Sequence, residues 1–447
     1  MIEPCSSPAL SVAAALAAAL LALPQPAAGV ARADEQPGSA RALAIVDATI
    51  ITASGPILRN ATLVARDGKI EAVGLNVEAP KDAEVVQAKG KYLMPGLVET
   101  HSHLGLHVLP DVEGNLDQNE WSEPIAAQAR AIDALHSGDP AVERAVAGGV
   151  TTVQVLPGSS NLVGGQSAVI KLRHGSAEQM LFKGAPPGMK LAFGENPKRV
   201  HGERLEQGPV TRMGNAAILR QALAQARDYR RRWDDYRAGR EGKTGEGRGG
   251  RDSENEPPGR DLKLEALADM LEGKFRPHVH VYRADDILTV FRIADEFGFK
   301  IASLQHCLDG YKVAEEIARR GVGVATFADR WGFKMETWDA TPENASRLHR
   351  AGARVALMTD HPVIEQRYLI HEAARAVRYG LPEEEAYRSV TLHPAWILGI
   401  DDRVGSLEPG KDADFVLFDG PPLLVRSHVA RVWIDGVQIY ERKQGGK

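Results

Sequence analysis

The run Gly96-Leu97-Val98-Glu99-Thr100-His101-Ser102-His103 is a short apolar segment that ends in two histidines. Three later apolar runs end in the same manner, at His280, His306 and Asp360. His280 and His306 are 26 residues apart, and His306 and Asp360 are 54 apart, close to one and two β/α units of roughly thirty residues. Strand ends with this spacing meet at the C-terminal face of a parallel barrel, where such barrels carry their chemistry. The run therefore predicts a barrel with its active site at that face.

Eight candidate strands support an α/β fold, a (β/α)8 barrel of the TIM type over residues 95–403. Helical patterns separate several of these strands, as the alternation of a β/α barrel requires. The candidate strands begin near Leu97, Thr151, Ala168, Met189, Val279, Ile301, Val322 and Val355.

The sequence on both sides of the barrel region has a different hydrophobic pattern. Residues 42–94 and 404–447 contain short alternating apolar segments with Asp-Gly turns, such as Asp67-Gly68 and Asp435-Gly436. This is the pattern of β-hairpins. We expect one small β-sandwich domain assembled from both chain ends, with two independent β appendages as the alternative.

Two segments stand outside this architecture. Residues 1–33 hold an Ala/Leu run and the small-residue site Ala31-Arg32-Ala33, which indicates a cleaved signal peptide and a periplasmic or secreted enzyme. Because Met1 to Ser7 contains no Lys or Arg, a disordered Ala-rich leader is the alternative. Residues 237–259 are rich in Gly, Arg, Glu and Pro and predict a disordered surface insertion between helices at 216–232 and 262–271.

The composition is that of a soluble globular protein, with 43% hydrophobic and 25% charged residues in 447. A net charge of −5 gives no general attraction to nucleic acid or to anionic membranes. One of the two cysteines, Cys5, lies in the candidate signal peptide, so the mature chain has no disulfide framework. We expect a small-molecule substrate, no nucleic-acid partner and no membrane anchoring after signal removal, and leave homo-oligomerisation open.

The ligand chemistry of the strand ends points to a metal. His101 and His103 are two residues apart on a strand, so both imidazoles project from the same face. Imidazole nitrogens combined with a carboxylate oxygen suit a divalent cation, most of all zinc. The sequence predicts one or two zinc ions per chain.

These motifs resemble those of the amidohydrolase superfamily. Met94-Pro95-Gly96 followed by the His-Ser-His strand end is similar to the signature of its first barrel strand. The resemblance continues through Gly149-Val150-Thr151-Thr152-Val153 and through Gly405-Ser406-Leu407-Glu408-Pro409-Gly410-Lys411-Asp412-Ala413-Asp414, a run typical of the returning β-domain.

The resemblance also implies roles for the five strand-end residues. His101 and His103 would bind one metal. His280 and His306 would bind a second metal or assist the first, which makes His306 a candidate catalytic residue. Asp360 would bind metal and act as the general base, a role that needs a carboxylate close to the activated water.

Two residues compete for the role of a ligand that bridges two metals. Lys190 resembles the carboxylated lysine of prolidase-like and hydantoinase-like members, and Glu195 resembles the glutamate that other members use. On an extended strand the two side chains point to opposite faces, so we expect only one of them to bind metal, with a slight preference for Lys190.

Candidate substrate-binding residues are less specific. The runs around Arg199 and around Tyr282-Arg283 are similar to those of an imidazolonepropionase-like subgroup. Arg199, Arg283 and Arg330 could clamp a carboxylate, because a guanidinium forms paired hydrogen bonds with one, although a structural ion pair is the commoner role for each of them alone. We expect His278 to be structural, whereas His361 and His393 could orient metal ligands.

These observations favour a hydrolase that cleaves a carbon–nitrogen bond in a cyclic amide, a small peptide or an acylated amine. Deamination of a heterocycle on the same metal site is the alternative. Deaminases use a glutamate after the fifth strand, where this chain has Asp285 and Asp286. A catalytically inert, secreted binding protein is the remaining alternative.

Overall fold

The structure is a computed structural model that describes residues 42–241, 256–330 and 332–443. The expected signal peptide, residues 1–33, lies outside the described residues and stays a prediction. Within the described ranges, no helix combines the length and the apolar character that a membrane span needs.

Eight central strands form one sheet that curves into a barrel, in the order β13-β12-β11-β10-β9-β8-β7-β6. All eight expected strands are present. Every residue of the first two is buried, as in a barrel that is covered by helices outside and filled by side chains inside. The strands are β6 (Leu97–Ser102), β7 (Val150–Val155), β8 (Val163–Lys171), β9 (Gly188–Ala192), β10 (Arg276–Val281), β11 (Ser303–His306), β12 (Gly323–Thr326) and β13 (Val355–Leu357).

The third barrel strand departs from the expected parallel order. Strand β8 pairs antiparallel with both of its neighbours, β7 and β9, whereas the other paired barrel strands are parallel. Only residues 156–162 connect β7 to β8, and a link without a crossover helix can join only antiparallel strands. The expectation of eight strict β/α repeats is therefore wrong at this strand, although the strand count is right.

A second eight-stranded sheet unites the two ends of the described chain. Its order is β16-β15-β14-β5-β1-β2-β3, with β4 paired to β1, and the antiparallel pair β5–β14 joins the N-terminal part to the C-terminal part. Because these strands form one sheet, the expected sandwich of two sheets is not confirmed. The strands are β1 (Leu43–Ile51), β2 (Ile57–Arg66), β3 (Lys69–Gly74), β4 (Glu84–Gln87), β5 (Tyr92–Pro95), β14 (Phe415–Phe418), β15 (Val429–Ile434) and β16 (Val437–Glu441).

The helices follow local signals in the sequence. Helix α2 begins after Asp139, whose side chain accepts a hydrogen bond from the Ala141 amide, with Pro140 in the first turn. Helix α7 ends at Gly298, which adopts a φ of 71°. The helices are α1 (Ala131–Ala134), α2 (Pro140–Ala147), α3 (Ala177–Met180), α4 (Glu195–Pro197), α5 (Arg212–Glu241), α6 (Leu262–Leu271), α7 (Ala284–Phe297), α8 (Ala314–Arg320), α9 (Asn344–Arg350), α10 (Leu369–Arg378), α11 (Glu383–Arg388) and α12 (Leu392–Leu398), with a π-helix at Lys198–Arg204.

Helix α5 is longer than the sequence suggested. Residues 237–241, expected to open the surface insertion, continue this helix, because Arg, Ala and Glu are good helix formers and no Pro interrupts them. Residues 242–255, the centre of that insertion, lie outside the described residues.

A buried ion cluster joins the barrel to the sheet formed by the chain ends. Lys171, at the end of β8, has a side chain that is 1% exposed. Its ammonium lies 2.8 Å from Asp412, 3.0 Å from Asp414 and 2.5 Å from Asp435. Removing one partner from a buried cluster leaves uncompensated charge in a low-dielectric environment, which costs several kcal/mol.

Replacing Lys171 by Met should therefore lower the free energy of unfolding by about 3 to 5 kcal/mol, because three carboxylates lose their shared cation. Lys69→Met is the matched control, since Lys69 also contacts Asp412 but is 46% exposed, and it should cost about 1 kcal/mol or less. Urea denaturation of both variants measures the difference. Equal effects of the two substitutions would contradict the importance of the buried cluster.

Candidate metal centre

The five strand-end residues are collected at the C-terminal ends of barrel strands. The nearer carboxylate oxygen of Asp360, Oδ1, lies 3.2 Å from His101 Nε2 and 3.3 Å from His103 Nε2. His306 Nδ1 is 3.9 Å from the other oxygen, Oδ2. Ligand atoms of His101, His306 and Asp360 all lie within 4.8 Å of one another. One carboxylate therefore faces three imidazoles, which is a donor set that a divalent cation can bind.

Hydrogen bonds fix the orientation of the first two imidazoles. His101 Nδ1 lies 2.9 Å from the side-chain oxygen Oε1 of Gln305, and His103 Nδ1 lies 2.8 Å from the carbonyl oxygen of Leu156. Each oxygen accepts a hydrogen bond from Nδ1–H, so each Nε2 keeps its lone pair and points toward Asp360. Metal-binding histidines are held by such second contacts.

His280 and His306 complete the group of imidazoles. Their ring centroids are 4.4 Å apart, and His306 lies 4.7 Å from His101. Both ring nitrogens of His306 and Nδ1 of His280 are buried and lack a hydrogen-bond partner among the described residues. A buried polar atom without a partner is costly, and a bound cation would satisfy one nitrogen of a ring that it contacts. The residues present therefore fit a metal.

The electrostatics of the centre also suit a cation. Burial, and then neighbouring positive charge, lowers the pKa of His101, His280 and His306 well below the usual range. These imidazoles are consequently neutral at physiological pH, which is the form that binds metal.

The backbone is strained where two of these side chains leave their strands. His306 adopts a φ of 66° and Asp360 a φ of 51°, values in the left-handed region that non-glycine residues rarely adopt. The following residue, Cys307, has a φ of 46°. Strained backbone of this kind is concentrated at functional sites and persists where surrounding packing enforces it.

The structure separates the two candidate bridging ligands. Lys190 in β9 is fully buried, and its Nζ lies 3.3 Å from His101 Nε2 and 3.0 Å from the carbonyl oxygen of Pro157. Burial lowers the pKa of Lys190 to about 7. Glu195 begins α4 and pairs with Lys334 at 3.1 Å. Of these two candidates, Lys190 is the one that contacts a strand-end residue, His101.

The candidate substrate-binding residues do not all lie at the centre. Tyr282 packs against His280 and His306, with ring centroids 4.7 and 4.9 Å away. Arg283 instead pairs with Asp285 at 2.9 Å, and its side chain is 44% exposed.

Two further arginines occupy the surroundings of the centre. Arg330 donates a hydrogen bond to the carbonyl oxygen of Val363 at 3.2 Å, just beyond Asp360 in the chain. Arg199 lies in the π-helix, and its charge acts on the Tyr282 phenol, lowering a pKa that burial raises well above its usual range.

Three other histidines, expected to be structural or to orient metal ligands, take separate positions. His278 Nδ1 lies 2.8 Å from Ser303 Oγ inside the barrel. His361 is 2% exposed and directly follows Asp360. His393 Nδ1 lies 3.0 Å from the carbonyl oxygen of Val355, the first residue of β13. Because Asp360 follows the other end of that strand, the structure gives no support to His393 as an orienting residue.

Three residues near the centre were not identified from the sequence. Glu99 precedes His101 by two residues, and this shared strand face is a signal that could have revealed it. Gln305 holds His101, as described above. Lys334 lies in the long loop after β12, with its Nζ 4.2 Å from the Tyr282 ring centroid, and no local pattern marks it.

Comparisons with known proteins agree on one family. The model of the amidohydrolase family matches residues 278–440. A solved amidohydrolase from Thermotoga maritima MSB8 is 41% identical with a TM-score of 0.82, and the match covers 90% of this chain and 100% of that one.

Two curated relatives are similar over most of the chain. The amidohydrolase TasK of Hapsidospora irregularis is 38% identical over 381 residues, 81% of this chain. This chain spans only 38% of the length of TasK. The imidazolonepropionase of Fusobacterium nucleatum is 24% identical over 82% of this chain and 87% of its own length.

Replacing His101 by Asn should remove most of the divalent metal bound after loading, because Asn cannot supply the Nε2 lone pair that faces Asp360. His393→Asn is the matched control and should retain the parental metal content. Mass spectrometry of metal content after dialysis, with circular dichroism to verify folding, measures both. Equal metal loss in the two variants would contradict the placement of the centre.

Proposed function

Because the chain belongs to the amidohydrolase family, we propose that it is a metal-dependent hydrolase that cleaves a carbon–nitrogen bond in a small molecule. The observation that carries this proposal is the position of Asp360 Oδ1, 3.2 Å from His101 Nε2 and 3.3 Å from His103 Nε2. A cyclic amide, a small peptide or an acylated amine is the substrate class.

His101, His103 and Asp360 would hold the first cation, which we propose to be zinc. His280 and His306 would hold a second cation or support the first, and a carboxylated Lys190 would bridge the two. When bound, the metal supplies an activated water and a Lewis acid for the substrate carbonyl.

Asp360 is suited to move the proton that this reaction releases. Its carboxylate lies at the centre of the imidazole group, where it can accept a proton from water and return it to the leaving amine. Tyr282 keeps its phenol protonated, because burial raises the pKa of Tyr282 well above its usual range. The Tyr282 hydroxyl is therefore available as a hydrogen-bond donor to substrate.

The side of the centre next to Tyr282 is the proposed binding region for a substrate carboxylate. Lys334 Nζ lies 4.2 Å from the Tyr282 ring centroid, and its charge contributes to the lowered pKa values of His280 and His306. Lys334 and Arg283 each have a carboxylate partner, Glu195 and Asp285, so the position beside Tyr282 is what favours Lys334 for this role. Arg199 is the second candidate, because its charge acts on the Tyr282 phenol.

The deaminase alternative has less support. Its acid would have to come from Asp285 or Asp286, after the fifth strand. Asp286 pairs with Arg212 at 2.9 Å, and Asp285 pairs with Arg283 at the same distance. Neither carboxylate is free to donate a proton to a heterocycle.

A hydrolysis screen combined with metal analysis tests the proposed function. The zinc-loaded protein would be assayed with N-acyl amino acids, Xaa-Pro dipeptides, hydantoins and lactams. Metal-dependent hydrolysis in one of these classes would support the proposal, detected as release of an amine from the open-chain amides or as ring opening of a hydantoin or lactam. Amino-substituted heterocycles would be assayed in parallel, and release of ammonia from one of them, without cleavage of any amide, would favour the deaminase.

Replacing Asp360 by Asn should leave metal largely bound, because the amide oxygen can still act as a ligand, while kcat falls by about 100-fold or more through loss of the base. Steady-state kinetics on a substrate from the screen measures this loss. Asp285→Asn should keep near-parental kcat in the hydrolase and lose it in the deaminase alternative. Near-parental turnover of Asp360→Asn would show that another group accepts the proton.

Replacing Lys190 by Ala should lower the metal content from two ions per chain, because the carbamate supplies an oxygen to each ion. Metal uptake by the parent should then depend on bicarbonate, since only a lysine ligand requires carbon dioxide. Glu195→Gln is the control and should keep both ions, because Glu195 pairs with Lys334. One ion per chain in both the parent and Lys190→Ala would reject the bridged site.

A further inference from the structure

The barrel has a seam between its first and last strands. Strands β6 and β13 stand at the two ends of the sheet order and are not paired as neighbouring strands. At the lower part of the seam, the chain before α12 lies between them. The Leu357 amide of β13 donates to Ser389 O at 2.8 Å, and the Val98 amide of β6 donates to Val390 O at 2.9 Å.

The upper part of the seam closes directly. The His103 amide donates to the carbonyl oxygen of His361 at 3.0 Å, and Ser102 and His361 form a parallel bridge. Between these two levels, the amides of His101 and Thr359 need other partners, because an unpaired buried N–H is costly.

The carboxylate of Glu99 fills this gap. One oxygen accepts a hydrogen bond from the His101 amide at 3.1 Å. The other accepts from the Thr359 amide at 3.0 Å and from the Thr359 hydroxyl at 2.7 Å. A single side chain thus joins the strand end that carries His101 to the residue that precedes Asp360.

The burial of Glu99 costs free energy. The side chain is fully buried, and among the described ion pairs none includes Glu99. Burial raises the pKa of Glu99 to about 8, and the three hydrogen bonds only partly offset the free-energy cost of burying this carboxyl group. A stability role alone would be served as well by apolar packing.

We propose that Glu99 is a positioning residue for the metal centre, one that sets the separation of His101 and His103 from Asp360 across the seam. This inference rests on the proposed metal site. The carboxylate acts through the backbone of the two strand ends and does not itself bind the metal. Glu99 projects from the same strand face as the two histidines. One rigid segment, β6, therefore carries the side chain that binds Thr359 and leads into both proposed ligands.

The test compares Glu99→Gln with Glu372→Gln. Glu372 is also fully buried, and it accepts a hydrogen bond from the Ala328 amide at 2.9 Å, beyond the end of β12, which carries none of the proposed ligands. The zinc dissociation constant is measured by competition with a chelator, and the visible absorption spectrum is recorded with cobalt in place of zinc. Melting temperatures of the metal-free proteins report the purely structural effect.

We expect both variants to melt earlier than the parent, whereas only Glu99→Gln weakens zinc binding, by about 10-fold to 100-fold, and changes the cobalt spectrum. Parental zinc affinity and an unchanged spectrum in Glu99→Gln would overturn the inference while leaving the proposed function intact. A parent protein that binds no zinc would overturn both.

Thr359 provides a milder second variant in case Glu99→Gln does not fold. Thr359→Val removes one of the three donors to Glu99 and should weaken zinc binding less than Glu99→Gln. Thr359→Ser keeps the hydroxyl and should restore parental affinity. If Val and Ser at this position give the same zinc affinity, the hydrogen bond to Glu99 does not position the centre.

Discussion

The exclusion of water from a cluster of imidazoles around one carboxylate is the constraint on which the rest of this structure depends. Four histidine rings and Asp360 meet at strand ends where His101, His280 and His306 are almost completely buried. Burial keeps these imidazoles neutral, so their lone pairs are available without a competing proton. The same burial makes unpaired ring nitrogens costly, and a bound cation would lower this cost.

A polar network inside the barrel supports this cluster from below. His278 lies 2.8 Å from Ser303 Oγ, which accepts a hydrogen bond from Gln305 at 2.7 Å. Gln305 in turn holds His101 at 2.9 Å. Because each side chain in the series is satisfied by the next, His101 has one favourable rotamer and one tautomer. A buried polar network that is fully paired makes a site rigid in this way.

The sequence predicted the parts of this molecule that depend on periodicity. All eight barrel strands were expected, and the histidines and Asp360 were assigned to strand ends because apolar runs stop there. The reversed direction of β8 could not be predicted in the same way, since a strand pattern such as that of Val163–Lys171 is the same whichever way the strand runs. Its direction follows instead from the short link after β7. Lys334 reaches Tyr282 from a long loop, and the carbonyl groups of Ser389 and Val390 pair with the two strands at the seam. Tertiary packing produces both contacts, and neither leaves a local pattern in the sequence.

The sheet built from both chain ends fixes the position of the strand that leads to the candidate metal centre. Strand β5 leads through Gly96 directly into β6, and the Gly96 amide donates to the carbonyl oxygen of Asp414 at 3.0 Å. A Cβ at Gly96 would lie 2.1 Å from Thr151 Oγ1 in the neighbouring strand, so only glycine permits this close approach.

This anchoring also affects the candidate metal centre. The pairing of β5 with β14 fixes where β6 enters the barrel, and β6 carries His101 near its end and leads directly into His103. Backbone strain at His306 and Asp360 persists only where the surroundings over-determine it. The anchored first strand, joined to Thr359 through Glu99, supplies that restraint on the Asp360 side. The returning C-terminal strands thus take part in positioning the proposed metal ligands, although they lie outside the barrel.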